Sequence, residues 1–212
     1  MSFFNLNWIN EIIGNKENVT IFDVGAFNFY DSINFKRNFP KANVYALEAF
    51  AFNCQKYGQL AILNGVKIYN IAVSDKNGET VFYYSTDYNG KEWTCSGSIL
   101  KPSDKGIIEI HPGLNYSKEG IKVKTVRLDY FCKSNQIENI DIIHMDIQGA
   151  EYYAIKGLGP LRPKIIFCET CEYESYENSL TLNDLDNLLS EMGYEIKGRF
   201  TDDTLYVLKD LK

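Results

Sequence analysis

Short apolar runs that stop at an acid recur along the chain. Ile21 and Phe22 run into Asp23, and Val44 to Leu47 run into Glu48. Ile140 to Asp146 (IDIIHMD) and Lys164 to Glu169 (KIIFCE) repeat the arrangement. Runs this short and this continuous predict strands buried on both faces, as in a parallel sheet. Between them the apolar spacing lengthens to that of helices. Tyr30 to Phe39 places Ile33, Phe35 and Phe39 at helix-compatible positions before Pro40, and residues 49–63 carry Phe50, Phe52, Leu60 and Ile62 before Asn64-Gly65. A helix is predicted from the Gly149–Glu151 turn to Leu158, and an amphipathic one from Thr181 to Met192. Residues 5–14 put Trp8, Ile9, Ile12 and Ile13 on one face, a helix within an N-terminal segment of residues 1–18.

The remaining elements read as strands and turns. Val66 to Ser74 is predicted as a third strand, followed by the turn Asp75 to Gly78 and a β-prone run from Glu79 to Ser85. Lys122 to Leu128 alternates strictly and is expected at a sheet edge, paired with that run; a short helix starts at Asp129. Residues 86–121 concentrate Gly, Ser and Pro, predicting a substrate or lid loop with little regular structure inside an extra hairpin-and-loop insertion around residues 79–128. Tyr194 to Arg199 and Thr204 to Leu208 close the chain as an antiparallel hairpin. There is no internal repeat or linker, so one domain over residues 1–212 is expected. Alternating strands and helices predict an α/β doubly wound, mostly parallel sheet with its ligand crevice at the strands' C-terminal ends. Asp23, Glu48, Ser74 or Asp75, Asp146 and Glu169 all converge there.

Composition narrows the partners. The apolar fraction of 45% and charged fraction of 24% are ordinary for a globular protein. A net charge of −6 argues against nucleic acid as the main partner, because neutralising phosphates needs a basic surface. The five cysteines are odd in number and lack framework spacing, which favours a reducing, cytoplasmic setting over a disulfide scaffold. Cys168 and Cys171 form a Cys-x-x-Cys, but at a strand end and without a second ligand pair for zinc. No secretory leader and no membrane-span-length apolar run is visible, and a monomer or homodimer is expected.

Within this frame Thr20 to Glu48 reads as half of a nucleotide-binding unit. Gly25 lets the backbone approach a ligand closely, and Glu48, about 20 residues on, can accept hydrogen bonds from ribose hydroxyls. A nicotinamide-dependent sugar-modifying oxidoreductase would use the same two residues, but the Gly-x-Gly-x-x-Gly it should show is absent.

The segments FDVGAFNFYDS, VYALEAF, NIAVSDKNG, VKTVRLDYF, IDIIHMDIQGAEYYAIKGL and KIIFCET resemble the FkbM family of S-adenosylmethionine-dependent O-methyltransferases, over roughly Val19 to Leu208. MDIQGAE matches that family's I-D-x-E-G-A-E signature with Gln148 in place of the first Glu. The family's D-x-G-A-N-x-G is also altered, its second Gly having become Phe29. The resemblance implies a class I methyltransferase fold with strand order 3-2-1-4-5-7-6 and S-adenosylmethionine as cofactor. It implies that Asp23 and Gly25 hold the methionine end and Glu48 the ribose hydroxyls, with Asn28 and Ala49 also among the cofactor-binding residues. Phe50 would wall the adenine, with Ser74 and Asp75 at its edge and Asp146 beside the methyl group. Phe29 keeps open a non-catalytic, methyltransferase-like binding module.

A sugar hydroxyl is a poor nucleophile at neutral pH, so a base or metal is expected. Asp146, at the fourth strand end, is the leading base, against a role as cap of the following helix. Glu169 could join it in holding Mg²⁺ or Mn²⁺, hard ions that take oxygen ligands. Glu151 either caps its own helix or binds substrate, and His144 reads as a core histidine. His111, in the long loop, is freer to act as base or substrate contact. Trp93, Tyr88 and Tyr116 offer stacking faces for a sugar ring. The resemblance points to hydroxyls on sugars, glycolipids, polysaccharides or macrolide-like products; the leading choice is a hydroxyl of a glycan or glycoconjugate sugar, a deoxyhexose such as rhamnose or fucose.

Overall fold

In the computed structural model, which describes residues 6–14, 16, 18–170 and 175–209, the chain opens with α1 (Leu6–Ile13) and then alternates. The first units are β1 (Thr20–Val24), α2 (Tyr30–Asn38), β2 (Asn43–Glu48), α3 (Ala51–Leu63) and β3 (Lys67–Asn70). A run of short strands follows: β4 (Ala72–Val73), β5 (Gly78–Phe82), β6 (Ser85–Tyr88), β7 (Lys91–Glu92), β8 (Leu114–Tyr116) and β9 (Ile121–Val126). Alternation resumes with α4 (Leu128–Ser134), β10 (Ile142–Met145), α5 (Glu151–Lys156), β11 (Ile165–Glu169) and α6 (Leu182–Glu191). The hairpin of β12 (Tyr194–Arg199) and β13 (Asp203–Leu208) ends it.

Seven strands form the main sheet in the order β3-β2-β1-β10-β11-β13-β12, with only the last two antiparallel to their neighbours. Counted within this sheet alone, that is 3-2-1-4-5-7-6, the class I methyltransferase order. Both faces are covered, which explains the unbroken apolar runs. Ile21, Val44, Ile142 and Ile165 pack with Ile9 and Ile13 of α1, Ile33 and Phe35 of α2 and Ala61 of α3. The intervening Phe22, Leu47, Ile143, Met145 and Ile166 pack with Phe131 of α4, Ile155 of α5 and Leu185 and Leu189 of α6. Thr181 and Asp184 cap α6 reciprocally, side chain to backbone in both directions.

Three elements depart from the sequence expectation. The run Val66 to Ser74 is not one strand: it forks at Ile71, with β3 in the main sheet and β4 in a separate sheet of order β4-β9-β5. β9 is therefore the central strand of that small sheet, paired parallel to β4 and antiparallel to β5, and not an edge. Residues 86–121 are also more regular than their Gly and Pro content predicts. They carry most of a third sheet, β7-β6-β8, and one π-helical turn at Gly106–Ile110. Among the described residues no helix is long and apolar enough to cross a membrane. Cys54, Cys95, Cys132 and Cys168 are free thiols, and Cys171 lies outside the described residues.

Candidate active site

A crevice opens at the C-terminal ends of β1, β2 and β10, walled on its far side by Ile71, Ala72 and Val73 and by Phe82. Gly25 forms its floor. The Gly25 and Ala26 N–H groups donate to the Leu47 carbonyl at 2.9 and 3.3 Å, which ties the turn after β1 to the end of β2. With φ at +84°, Gly25 lies so close to β10 that an added Cβ would stand 1.8 Å from the Asp146 carbonyl oxygen. Only glycine satisfies both the left-handed backbone and that approach.

Glu48 enters the crevice from β2 and is only 4% exposed. One carboxylate oxygen accepts the Phe27 N–H at 2.8 Å; the other accepts the Phe50 N–H at 2.8 Å and the Asn53 side-chain amide at 3.3 Å. Burial pushes its acid up to about 7, opposed by those donors. Asn53 also joins Thr94 of the insertion, donating to its carbonyl at 3.1 Å and accepting from its hydroxyl at 2.9 Å. The glycine cradle, the buried carboxylate and the apolar wall fit a nucleoside carrying a small amino-acid tail, as S-adenosylmethionine does.

Phe29 leaves that crevice clear. Its φ of 61° is the left-handed backbone expected of the glycine it replaces, while its ring is fully buried. The ring packs in the core with Ile33, Phe35, Val44 and Ala61, and it does not line the crevice. The backbone path is kept and the side chain is aimed the other way.

On the opposite rim Asp146 is exposed and lines the same crevice. The Gln148 side-chain amide bridges it to Glu169, with Nε2 at 2.7 Å from Asp146 Oδ1 and 2.7 Å from Glu169 Oε2. The Tyr176 hydroxyl stands 3.2 Å from Gln148 Oε1, 3.0 Å from the Ser96 carbonyl and 3.1 Å from the Tyr116 hydroxyl. Burial pushes both tyrosines up, so their hydroxyls stay protonated near neutral pH. A second crevice adjoins this turn, lined by Gly149, Glu151, Glu169, Thr170 and Leu185 among others. Glu151 is 5% exposed and accepts the Ile147 N–H at 3.0 Å, closing the turn before α5. Burial pushes its acid up to about 7 against its backbone donors. Among the described residues no group of three or more His, Cys, Asp or Glu side chains is placed to hold a metal ion.

Several expected residues lie elsewhere. Asp23 is buried and turned from the crevice, accepting from the Ser32 hydroxyl and paired with His144 Nδ1 at 2.8 Å. Burial lowers the His144 pKa, but the Asp23 hydrogen bond and charge outweigh it and bring it up to about 9. Asn28 is exposed and accepts the Tyr30 N–H at 3.0 Å, a local turn at the start of α2. Ala49 does line the crevice. Phe50 does not: its ring stacks on Tyr84 with centroids 4.7 Å apart, and Phe82 supplies the aromatic wall instead. The fork at Ile71 turns Ser74 and Asp75 away; the Ser74 N–H bonds the Val126 carbonyl and the Asp75 carbonyl accepts from Arg127. His111 is exposed beyond the π-helical turn and lines neither crevice. Trp93 and Tyr88 form an exposed ring pair with centroids 5.8 Å apart, in the strand pair adjoining Thr94 and Cys95 of the crevice.

Asn53, Phe27, Phe82 and Tyr176 are site residues that sequence reasoning did not select. Asn53 carried a usable signal, a polar side chain in the first turn of α3 just beyond the acid-ended strand.

The profile of the methyltransferase FkbM domain matches residues 23–196. The chain is 31% identical over 191 residues to the 2-O-methyltransferase NoeI of Sinorhizobium fredii (strain NBRC 101917 / NGR234), covering 87% of this chain and 76% of the relative. Among solved structures, a precorrin-6y C5,15-methyltransferase from Geobacter metallireducens GS-15 superposes with a TM-score of 0.49 at 10% identity, over 95% of this chain and 84% of that one. A putative caffeoyl-CoA O-methyltransferase from Staphylococcus aureus gives 0.49 at 12% identity, over 98% and 84%. The profile match takes in the strand-end acids, the Gly25 turn and the Asp146–Glu151 segment, and the chain belongs to the FkbM family of S-adenosylmethionine-dependent O-methyltransferases.

Proposed function

We propose that the chain methylates a hydroxyl of a sugar carried on a glycan or glycoconjugate, with a deoxyhexose such as rhamnose or fucose as the acceptor ring. The observation that carries this reading is the exposed carboxylate of Asp146, which borders the cofactor crevice and is bridged to Glu169. S-adenosylmethionine, when bound, supplies a methyl group on a positively charged sulfur that leaves as a neutral thioether. Glu48, Asn53 and the Gly25 turn hold and orient it. Asp146 accepts the proton shed by the acceptor oxygen as the oxygen–carbon bond forms, then returns it to solvent. Positioning supplies much of the rate, since reacting atoms need only be held about 3 to 3.5 Å apart in line.

The exposed Tyr88–Trp93 pair supports a ring-shaped acceptor, because an aromatic face packs against the C–H face of a sugar. The relative's name, a 2-O-methyltransferase, supports an oxygen acceptor. With Phe29 turned into the core, the reason for a non-catalytic module disappears. The test uses purified full chain, methyl-labelled S-adenosylmethionine and a panel of deoxyhexose glycosides. Transfer is expected for wild type, falling about 10²- to 10⁴-fold in Asp146→Asn while calorimetric binding of S-adenosylhomocysteine is retained. Normal cofactor-product binding with no transfer to any sugar would sink the reading.

A further inference from the structure

We propose that the Gln148 carboxamide takes the place of a divalent cation: its two N–H bonds hold the carboxylates of Asp146 and Glu169 together, so that Asp146 faces the acceptor without a metal. The inference rests on Asp146 as proton acceptor, and it fits poorly with the Mg²⁺ or Mn²⁺ that the two acids would otherwise invite.

Geometry makes the argument. Nε2 stands at 2.7 Å from an oxygen of each carboxylate, and a primary amide has two hydrogens, one for each. The amide's orientation is decided by chemistry. Reversed, it would set its carbonyl oxygen against two carboxylates, whereas Oε1 instead faces the Tyr176 hydroxyl at 3.2 Å. That hydroxyl shares its one proton between Oε1 and the Ser96 carbonyl at 3.0 Å, and its oxygen can accept from the Tyr116 hydroxyl at 3.1 Å, which keeps it in place behind the amide. The backbone is committed as well. Gln148 has φ of 55° and is followed by Gly149 at 88°. A non-glycine residue persists in that region where its surroundings over-determine it, as this bonding does.

The difference from the related signature, Glu at this place, is one of charge. Glu would bring a third carboxylate with no hydrogens to hold the other two, and three converging carboxylates demand a cation or protons. Gln brings two donors and no charge, and its nitrogen occupies the point between Asp146 and Glu169 that a cation would need.

The test is Mn²⁺ binding to the full chain, read from the paramagnetic resonance of free Mn²⁺, for wild type, Gln148→Glu and Gln148→Ala. Gln148→Glu is expected to bind Mn²⁺ about tenfold or more tighter than wild type, because affinity follows ligand charge count. Gln148→Ala, which opens the space without adding a ligand, should fall between them. Wild type binding Mn²⁺ as tightly as Gln148→Glu would overturn the proposal. If Gln148→Glu does not fold, wild type binding as tightly as Gln148→Ala is the overturning result. Methyl transfer in EDTA supplies a second readout: wild type is expected to keep it and Gln148→Glu to lose it until Mn²⁺ is restored. The cation measurement needs no acceptor, so failure of the sugar reading leaves it intact and the two failures remain distinguishable.

Discussion

The two rims of the crevice are built by different means. On the cofactor rim, backbone groups do most of the holding. Gly25, Ala26, Phe27 and Phe50 point N–H groups at Leu47 and Glu48, and left-handed residues at positions 25, 27 and 29 shape the turn. On the Asp146 rim and behind it, side chains hold side chains: Asp146, Gln148, Glu169, Tyr176 and Tyr116 are linked through amide and hydroxyl groups. A backbone-built rim tolerates changes of side chain provided the path survives, as Phe29 shows. A side-chain-built rim changes its chemistry with a single residue, as Gln148 shows.

That contrast can be broken by experiment, beginning where the effect is largest. On the proposed reading, in which Glu48 accepts the ribose hydroxyls, Glu48→Gln should weaken S-adenosylhomocysteine binding by about ten- to a hundredfold, as measured by calorimetry. Because burial pushes the Glu48 acid up to about 7, wild-type affinity should rise several-fold from pH 6 to pH 8, while the variant stays flat. Unchanged Mn²⁺ behaviour in Glu48→Gln would show the rims to be separable; a change would join them.

Phe29 sharpens the comparison through stability. Truncating this buried ring should destabilise the chain by about 3 to 5 kcal/mol. At a φ of 61°, however, Phe29→Gly should be about 1 kcal/mol more stable than Phe29→Ala, reversing the usual helix-type ranking. Denaturant melts of the two variants decide it, and Ala equal to or above Gly would mean the turn relaxes out of the left-handed region.

The smallest expected effect concerns His144, which pairs with Asp23 beneath both rims. Its folded-state pKa of about 9 lies above its ordinary value, so its contribution is complete below about pH 6.5 and lost as pH rises through 9. The buried acids Glu48 and Glu151, raised to about 7, lose their share earlier, between their ordinary range and neutrality. From pH 7.5 to 9.5, then, wild type should lose about 5 °C of melting temperature, and His144→Gln should lose less. Equal slopes would remove His144 from the account.

The main sheet was legible because its signals are local. An apolar run ending in an acid needs only neighbouring residues, and it is enough to put Glu48, Asp146 and Glu169 at strand ends. Contacts between distant segments were not legible. Asp23 was expected at the ligand, yet its partner His144 lies 121 positions away and faces it only through strand register. The resemblance puts Phe50 at the adenine wall, but its stacking on Tyr84 depends on how the small sheet docks. Within the run Val66 to Ser74 the polar Asn70 marks the fork. Its amide bonds the Glu48 and Ala49 carbonyls, each at 2.9 Å, just where the strand leaves the main sheet.

That fork makes the crevice a joint between two frames. The wall from Ile71 to Val73 is pinned to the large sheet where the Ile71 N–H meets the Glu48 carbonyl, and to the small sheet where Ala72 and Val73 pair with Thr125 and Val126. A ligand seated against that wall would therefore touch a segment shared by both sheets. The insertion bearing Tyr88 and Trp93 hangs from the second frame.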